Sequence, residues 1–187
     1  KHNITNVLAA STIATILEIS PDVVSQSIRE FKGVPHRLQL VREWKGVKWI
    51  NDSKATTPQG SIAAIQSFSG PIVLLLGGKD KNLPWESLLE IVNEKVDHLI
   101  LFGEASKKIN GYLQKMNFVN PRFTLDITAH LEEAVNLASK LSKPGDNVLL
   151  SPGGTSYDEF KDFEERGERF MLWGQHHKEC IKSDLNR

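Results

Sequence analysis

The sequence predicts an α/β fold, a mostly parallel sheet with helices on both faces. Three observations carry this. Short apolar runs alternate with stretches of helical period, at a spacing that fits one crossover helix between successive strands. The run 71–76 is almost wholly aliphatic and ends at Gly77-Gly78, as a strand buried on both faces does. Two further strands, near 97–102 and 147–150, also end in glycine-bearing turns, at Gly103 and at Gly153-Gly154.

The elements follow in order. Asn3 is placed to cap a helix over 4–18, with Val7, Leu8, Ile13, Ala14 and Leu17 among its apolar positions. Ser20-Pro21-Asp22 opens a second helix, with serine as cap and proline in the first turn, where its missing N–H does no harm. Val23, Val24, Ile28 and Phe31 give it an apolar face, and Lys32-Gly33-Val34-Pro35 ends it and begins a linker. Two such helices are too small to bury a core of their own, so residues 1–32 are expected to be the end of a preceding domain. From His36 the period switches to two: Leu38, Leu40 and Arg42 alternate with Gln39, Val41 and Glu43, and Lys45-Gly46 turns the chain into a partner strand, 47–50. A helix over 58–68 precedes the strand 71–76. Helices over 84–94, 104–116 and 129–141 then alternate with strands at 97–102, 122–125 and 147–150. A last helix, 157–173, carries Phe160, Phe163, Gly167, Phe170 and Met171 on one side. The α/β domain is thus expected over 33–175, with a polar tail over 176–187.

With 187 residues the chain has room for one full domain and some spare length. Lys+Arg and Asp+Glu both number 23, so no net field steers it toward nucleic acid or a membrane surface. The single cysteine, Cys180, excludes an intramolecular disulfide and a cysteine zinc cluster, and suits a reducing compartment. No apolar run approaches the roughly 18 residues of a membrane span, and no signal-peptide pattern opens the chain, so a cytoplasmic protein is expected. The start at Lys1-His2-Asn3, without an initiator methionine, is that of a chain entered in its middle.

Three connections after strands hold unusual side chains. Asn51-Asp52-Ser53-Lys54-Ala55-Thr56-Thr57 crowds an acid, a lysine and two threonines into a strand-to-helix turn, the place where open α/β sheets bind ligands. A carboxylate there can hold a divalent cation and an ammonium can meet a phosphate oxygen; a solvated turn with a threonine helix cap is the plainer reading. Gly77-Gly78-Lys79-Asp80-Lys81-Asn82 combines a tight turn with two lysines, although paired glycines also simply end strands. Ser151-Pro152-Gly153-Gly154-Thr155-Ser156 brings glycines and hydroxyls to a helix start, whose free N–H groups favour anions. All three are expected along one edge of the sheet, where Lys54, Lys81, Thr56 and Ser156 would receive carboxylate or phosphate oxygens. Arg37 reads either as a surface arginine or as a cation serving a phosphate held by a neighbouring domain. Phe163 reads first as core packing. The chain has no P-loop, no dinucleotide-binding glycine fingerprint and no serine-hydrolase elbow. Of its six histidines only His176 and His177 adjoin, so no metal ligands are expected within it.

Taken in order, His2-Asn3-Ile4-Thr5-Asn6, Gly33-Val34-Pro35-His36-Arg37, Asn51-Asp52-Ser53-Lys54-Ala55-Thr56, Gly77-Gly78 with Lys81, and Ser151 to Ser156 with Tyr157-Asp158-Glu159-Phe160 resemble the Mur ligases. The Asn-Asp-Ser-Lys-Ala-Thr stretch and the Ser-Tyr-Asp start favour the D-glutamate-adding branch over those that add diaminopimelate, lysine or a dipeptide. The resemblance implies three domains in the whole enzyme: one for the UDP-sugar, a central ATPase, and a Rossmann-like C-terminal domain that brings the amino acid. It implies that ATP, with magnesium, phosphorylates the carboxylate of UDP-N-acetylmuramoyl-L-alanine, and that the amine of D-glutamate attacks the acyl phosphate. Carried onto this sequence, Asn3 and Asn6 would contact the nucleotide, and Arg37, Asp52 and Lys54 would serve ATP across the domain boundary. Thr56, Lys81, Ser156 and Phe163 would surround D-glutamate, with Tyr157 beside them. The P-loop, the magnesium ligands and the UDP-sugar domain lie outside these residues, so the chain alone is expected to be inactive. The resemblance further implies a cytoplasmic monomer of peptidoglycan synthesis, tied to cell shape and division. A folylpolyglutamate-synthase-like ligase and a stand-alone α/β binding module are the alternatives. An upstream P-loop in the same reading frame would exclude the second.

Overall fold

In a computed structural model, residues 2–117 and 123–176 are described, apart from the side chains of His2, Asn3 and His176. The chain divides into two compact units, Lys1–Val34 and Pro35–Arg187. The first holds α1 (His2–Ile16) and α2 (Pro21–Glu30). Ser20 caps α2 by accepting from the Val23 N–H at 3.4 Å, and Pro21 sits in its first turn. Asn3, expected as a cap, lies inside α1.

The second unit begins with a hairpin. β1 (Gln39–Trp44) runs antiparallel to β2 (Val47–Asn51), with Trp44 opposite Val47. The two-residue turn puts Lys45 at φ 50° and Gly46 at φ 77°. Two positive φ angles in succession are those of a type I′ turn, whose twist matches that of the flanking strands. The register shifts between Leu40 and Arg42. That bulge turns Val41 onto the core while Leu38 and Leu40 stay exposed.

Thereafter strands and helices alternate: α3 (Pro58–Ile65), β3 (Ile72–Gly77), α4 (Glu86–Lys95), β4 (His98–Phe102), α5 (Ser106–Leu113), β5 (Thr124–Ile127), α6 (Leu131–Leu141), β6 (Asn147–Gly153) and α7 (Phe163–His176). The sheet order is β1-β2-β6-β3-β4-β5, and every pairing but the first is parallel. β6, the last strand in the chain, is therefore inserted between β2 and β3. The α/β expectation holds.

Each central strand sends alternate side chains to opposite layers. Leu74, Leu76, Leu99, Leu101 and Leu149 pack with Ile65 of α3, Leu88, Leu89 and Val92 of α4, and Ile109 of α5. Val73, Leu75, Ile100, Phe102, Val148 and Leu150 pack with Leu131 and Val135 of α6 and Phe170 of α7. At roughly 1.5–3 kcal/mol for each fully buried large aliphatic or aromatic side chain, these two layers dominate the stability of the unit. Among the described residues no helix is long and apolar enough to cross a membrane.

Element ends differ from expectation in instructive ways. The helix expected over 58–68 stops at Ile65, and the last residues wind more tightly, Ser67 N–H donating to Ala64 and Phe68 N–H to Ile65. β5 starts at Thr124 rather than 122, and Arg122 is outside the described residues. The largest shift is at α7, which starts at Phe163, six residues after Tyr157. Asp158 and Glu159 spend their carboxylates on the Glu104 and Leu131 N–H groups of neighbouring loops, and Asp162 caps the helix by accepting from Glu165 N–H at 2.7 Å. Ser156 thus stands at an isolated turn, its carbonyl accepting from Phe160 N–H, and not at a helix N-terminus. The expected tail residues 177–187, with Cys180, lie outside the described residues, as does the His176-His177 pair except for the His176 backbone.

Candidate functional site

Because β2, β6 and β3 are adjacent and parallel, the turns leaving their carboxyl ends lie side by side. The first is built on buried polar groups. Asn51 accepts from Ser53 N–H at 3.1 Å and donates through Nδ2 to Gly167 O at 3.2 Å, with His36 Nδ1 at 3.0 Å. Since that amide nitrogen is a donor, His36 Nδ1 faces it as an acceptor. His36 is buried, and its carbonyl accepts from Lys54 N–H at 3.0 Å. Asp52 is 4% exposed; its Oδ1 accepts from Leu38 N–H at 3.1 Å and its Oδ2 from Ser151 Oγ–H at 2.8 Å. Burial pushes this carboxyl up to about 6, although both hydrogen bonds and the charge of Arg37 pull the other way. Arg37 itself is exposed.

Past Asp52, buried Ser53 and Ala55 alternate with more exposed Lys54 and Thr56. Lys54 is exposed and its Nζ lies 4.5 Å from the centroid of the Phe163 ring, a cation–π pair. The same ring meets His36 edge-on at 6.2 Å. Thr56 is half-buried, and Thr57 caps α3 by accepting from Gly60 N–H at 3.4 Å.

The turns after β3 and β6 ride on each other. Lys79 N–H donates to Thr155 O at 2.8 Å and Thr155 N–H returns to Lys79 O at 2.9 Å. Gly78, at φ +83°, is pressed so closely to this pair that a Cβ would stand 2.3 Å from Thr155 O. Asp80 accepts from Asn82 N–H at 3.0 Å and Trp85 Nε1–H at 3.1 Å and pairs with Lys108. Burial opposes its charge, yet these partners hold its carboxyl below the usual range. Lys81 is exposed beside it, Ser156 is buried, and Tyr157 is 66% exposed.

One residue absent from the expected set binds the turns together. Arg166 of α7 is 0% exposed. Its Nε donates to Ser53 Oγ and its Nη2 to Ser53 O, both at 2.9 Å. Its Nη1 donates to Gly154 O at 3.1 Å and Thr155 O at 2.9 Å. Burial pulls its pKa down to about 10, against the charges of Asp158 and Glu159. The available signal was its spacing: position 166 is three after Phe163 and four before Phe170, so a charge falls on the apolar side of the helix. His36 and Asn51, quoted as parts of motifs but given no role, are the other two that sequence reasoning missed.

The second unit therefore brings Arg37, Asp52, Lys54, Thr56, Lys81, Ser156, Tyr157 and Phe163 to the turns at one edge of the sheet. Asn3 and Asn6 belong to the first unit; Asn6 is exposed, and the Asn3 side chain is outside the described residues. Among the described residues no three His, Cys, Asp or Glu side chains converge as a metal cage would. Asp52 offers one buried carboxylate where a cation needs several oxygen ligands, so it does not make a magnesium site by itself.

Residues 36–154 match the family described as Mur ligase, glutamate ligase domain. The chain is 45% identical over 170 residues to the UDP-N-acetylmuramoylalanine–D-glutamate ligase of Thermoanaerobacter sp. (strain X514), covering 91% of this chain and 37% of that protein. It is 41% identical over 173 residues to the ligase of the same name from Caldicellulosiruptor saccharolyticus, covering 92% and 37%. The chain thus spans little more than a third of the length of these relatives. In solved structures, a murein peptide ligase of Psychrobacter arcticus superposes with a TM-score of 0.60 at 16% identity, over 93% of this chain and 37% of that one. A bifunctional folylpolyglutamate synthase/dihydrofolate synthase of Yersinia pestis, complexed with AMPPNP and a manganese ion, gives 0.57 at 16% identity, over 82% and 34%. At such identities the likeness is one of fold. The chain belongs to the Mur ligases, and residues 36–154 are its glutamate ligase domain.

Proposed function

We propose that this chain is the D-glutamate-binding part of an ATP-dependent ligase that joins D-glutamate to UDP-N-acetylmuramoyl-L-alanine. The observation that carries the reading is the placement of Lys54, Lys81, Thr56 and Ser156 on the three adjacent turns after β2, β3 and β6, whose backbones are joined by hydrogen bonds and by Arg166. A dicarboxylate needs cations and hydroxyl or N–H donors, and these turns present both. The similarity to ligases named for D-glutamate, over nine-tenths of this chain, supports the choice of amino acid.

In this reading the first unit is the end of a preceding ATPase domain and brings Asn3 and Asn6 to the nucleotide. Arg37, Asp52 and Lys54 serve ATP; Thr56, Lys81, Ser156, Tyr157 and Phe163 hold D-glutamate. The γ-phosphoryl group passes to the substrate carboxylate, releasing ADP and leaving an acyl phosphate. The amine then attacks the carbonyl carbon, loses a proton, and expels phosphate as the amide forms. ATP chemistry with magnesium belongs to a P-loop region that these 187 residues do not contain. By itself the chain is therefore inactive. The ligase acts in the cytoplasm, as a monomer, in peptidoglycan precursor synthesis. A folylpolyglutamate-synthase-like role has only the fold in its support.

Kinetics of the full-length ligase carrying this chain test the reading. A charge-assisted hydrogen bond contributes about 1.5–3 kcal/mol, so Lys81→Ala and Ser156→Ala should raise KM for D-glutamate about tenfold to a hundredfold. KM for ATP should stay near wild type. Equal use of L-glutamate, or an unchanged KM for D-glutamate in both variants, would overturn the assignment.

A further inference from the structure

No charged side chain among the described residues is as fully enclosed as Arg166. Its four hydrogen bonds all end on neutral oxygens, and no carboxylate among the described residues lies within 4.0 Å of it. Asp158 and Glu159 act on it only from a distance, their carboxylates being bonded to Glu104 N–H and Leu131 N–H. A buried charge without an ion partner is costly, and neutral donors would hold the same oxygens at less expense. The guanidinium is retained against that cost.

Its partners say what it does there. Ser53 lies between Asp52 and Lys54. Gly154 and Thr155 lead directly into Ser156. The rigid, planar fork of an arginine spans both turns at a fixed spacing, which a flexible ammonium cannot do. Gly78 of the third turn lies against the same group: a Cβ there would stand 2.9 Å from Nη1. We propose that Arg166 is a positioning residue that locks the Ser53–Lys54 turn to the Gly154–Ser156 turn, so that the nucleotide and amino-acid half-sites hold one spacing. The half-site names rest on the function proposed above; the lock itself does not.

Two measurements on the full-length ligase separate these claims. In steady-state kinetics, Arg166→Lys keeps the charge but not the fork and is expected to raise KM for D-glutamate and for ATP together, each tenfold or more. Ser53→Ala removes one of the four bonds of Arg166, together with the bond that Ser53 Oγ–H donates to Phe163 O at 2.8 Å, and should raise both about threefold, which keeps the test alive if Arg166→Lys fails to fold. Val92→Ala, in the α4 core on the other layer, serves as the control: it should lower Tm with both KM values within twofold of wild type. KM values unchanged in the Ser53 and Arg166 variants would overturn the proposal, as would a rise in only one of them.

Hydrogen exchange gives the second readout, independent of the reaction. The Lys54 and Thr155 amides, bonded to His36 O and Lys79 O, should exchange faster together in Ser53→Ala, while β3 and β4 amides stay as in wild type. Faster exchange in one turn alone, or evenly through the sheet, would overturn the lock. A wild-type ligase that does not turn over D-glutamate would sink the proposed function, and exchange would still decide the role of Arg166.

Discussion

Asp52→Asn offers the most direct test of how the site is built. Folding raises this carboxyl from 3.8 to about 6, chiefly through burial. The folded state therefore holds more protons than the unfolded chain between those two values, and stability from this group falls as pH rises through the window. At about 1.36 kcal/mol for each tenfold step, the whole interval corresponds to about 3 kcal/mol. Between pH 5 and pH 7.5 the linkage relation gives a loss on the order of 1 kcal/mol. Asparagine keeps an acceptor for Leu38 N–H and a group that reaches Ser151 Oγ, but carries no titrating proton. Urea unfolding of the 187-residue chain at several pH values, for wild type and Asp52→Asn, isolates the term, because every other titrating group is shared. Wild type is expected to lose on the order of 1 kcal/mol relative to the variant from pH 5 to pH 7.5. A constant gap would show that burial does not govern this carboxyl. A wild type that gains on the variant would mean that Arg37 and the hydrogen bonds outweigh desolvation.

Three further outcomes are expected. Phe163→Leu keeps an apolar side chain at the start of α7 but removes the ring face beneath Lys54, an exposed contact of about 0.5–1 kcal/mol; KM for the ligand that Lys54 serves should rise about two- to fivefold with Tm little changed. Gly167→Ala would set a Cβ 2.2 Å from His36 Nδ1 and 2.9 Å from Asn51 Nδ2, and should destabilise by about 1–3 kcal/mol in urea unfolding. Gly111→Ala, in α5 with nothing within 4 Å, should instead stabilise by about 0.5–1 kcal/mol.

The fold was legible because its signals are local. The aliphatic run 71–76, the turn at Lys45-Gly46 and the Ser20-Pro21 helix start each fix their own geometry through period, φ or capping, and each appears where expected. The start of α7 was not legible, since helix periodicity continues through Tyr157 to Phe160 and what stops the helix is remote. Asp158 and Glu159 are drawn to the N–H groups of Glu104 and Leu131, more than 25 residues away in sequence. The site divides in the same way. Residues that point outward, such as Lys54, Lys81 and Tyr157, were visible as charge and aromatic character in glycine-bearing turns. Residues that hold them, Arg166, Asn51 and His36, were not, because their roles exist only once α7 packs against the turn that follows β2.

That division also explains why the turns can be both rigid and open. Polar side chains on three adjacent turns would ordinarily compete for one another, and two lysines beside a threonine and a serine would collapse onto any free acceptor. Here the acceptors nearest the sheet are already taken: Asp52 by Leu38 and Ser151, Asn51 by Ser53, the carbonyls of Ser53, Gly154 and Thr155 by Arg166. Asp80 is taken by Lys108 and Trp85, which leaves Lys81 exposed beside it. Satisfying these carbonyls with a guanidinium leaves the Lys54 and Lys81 side chains exposed. On the function proposed above, an anion arriving at that edge would meet donors on turns already joined by hydrogen bonds, which lowers the ordering cost of binding.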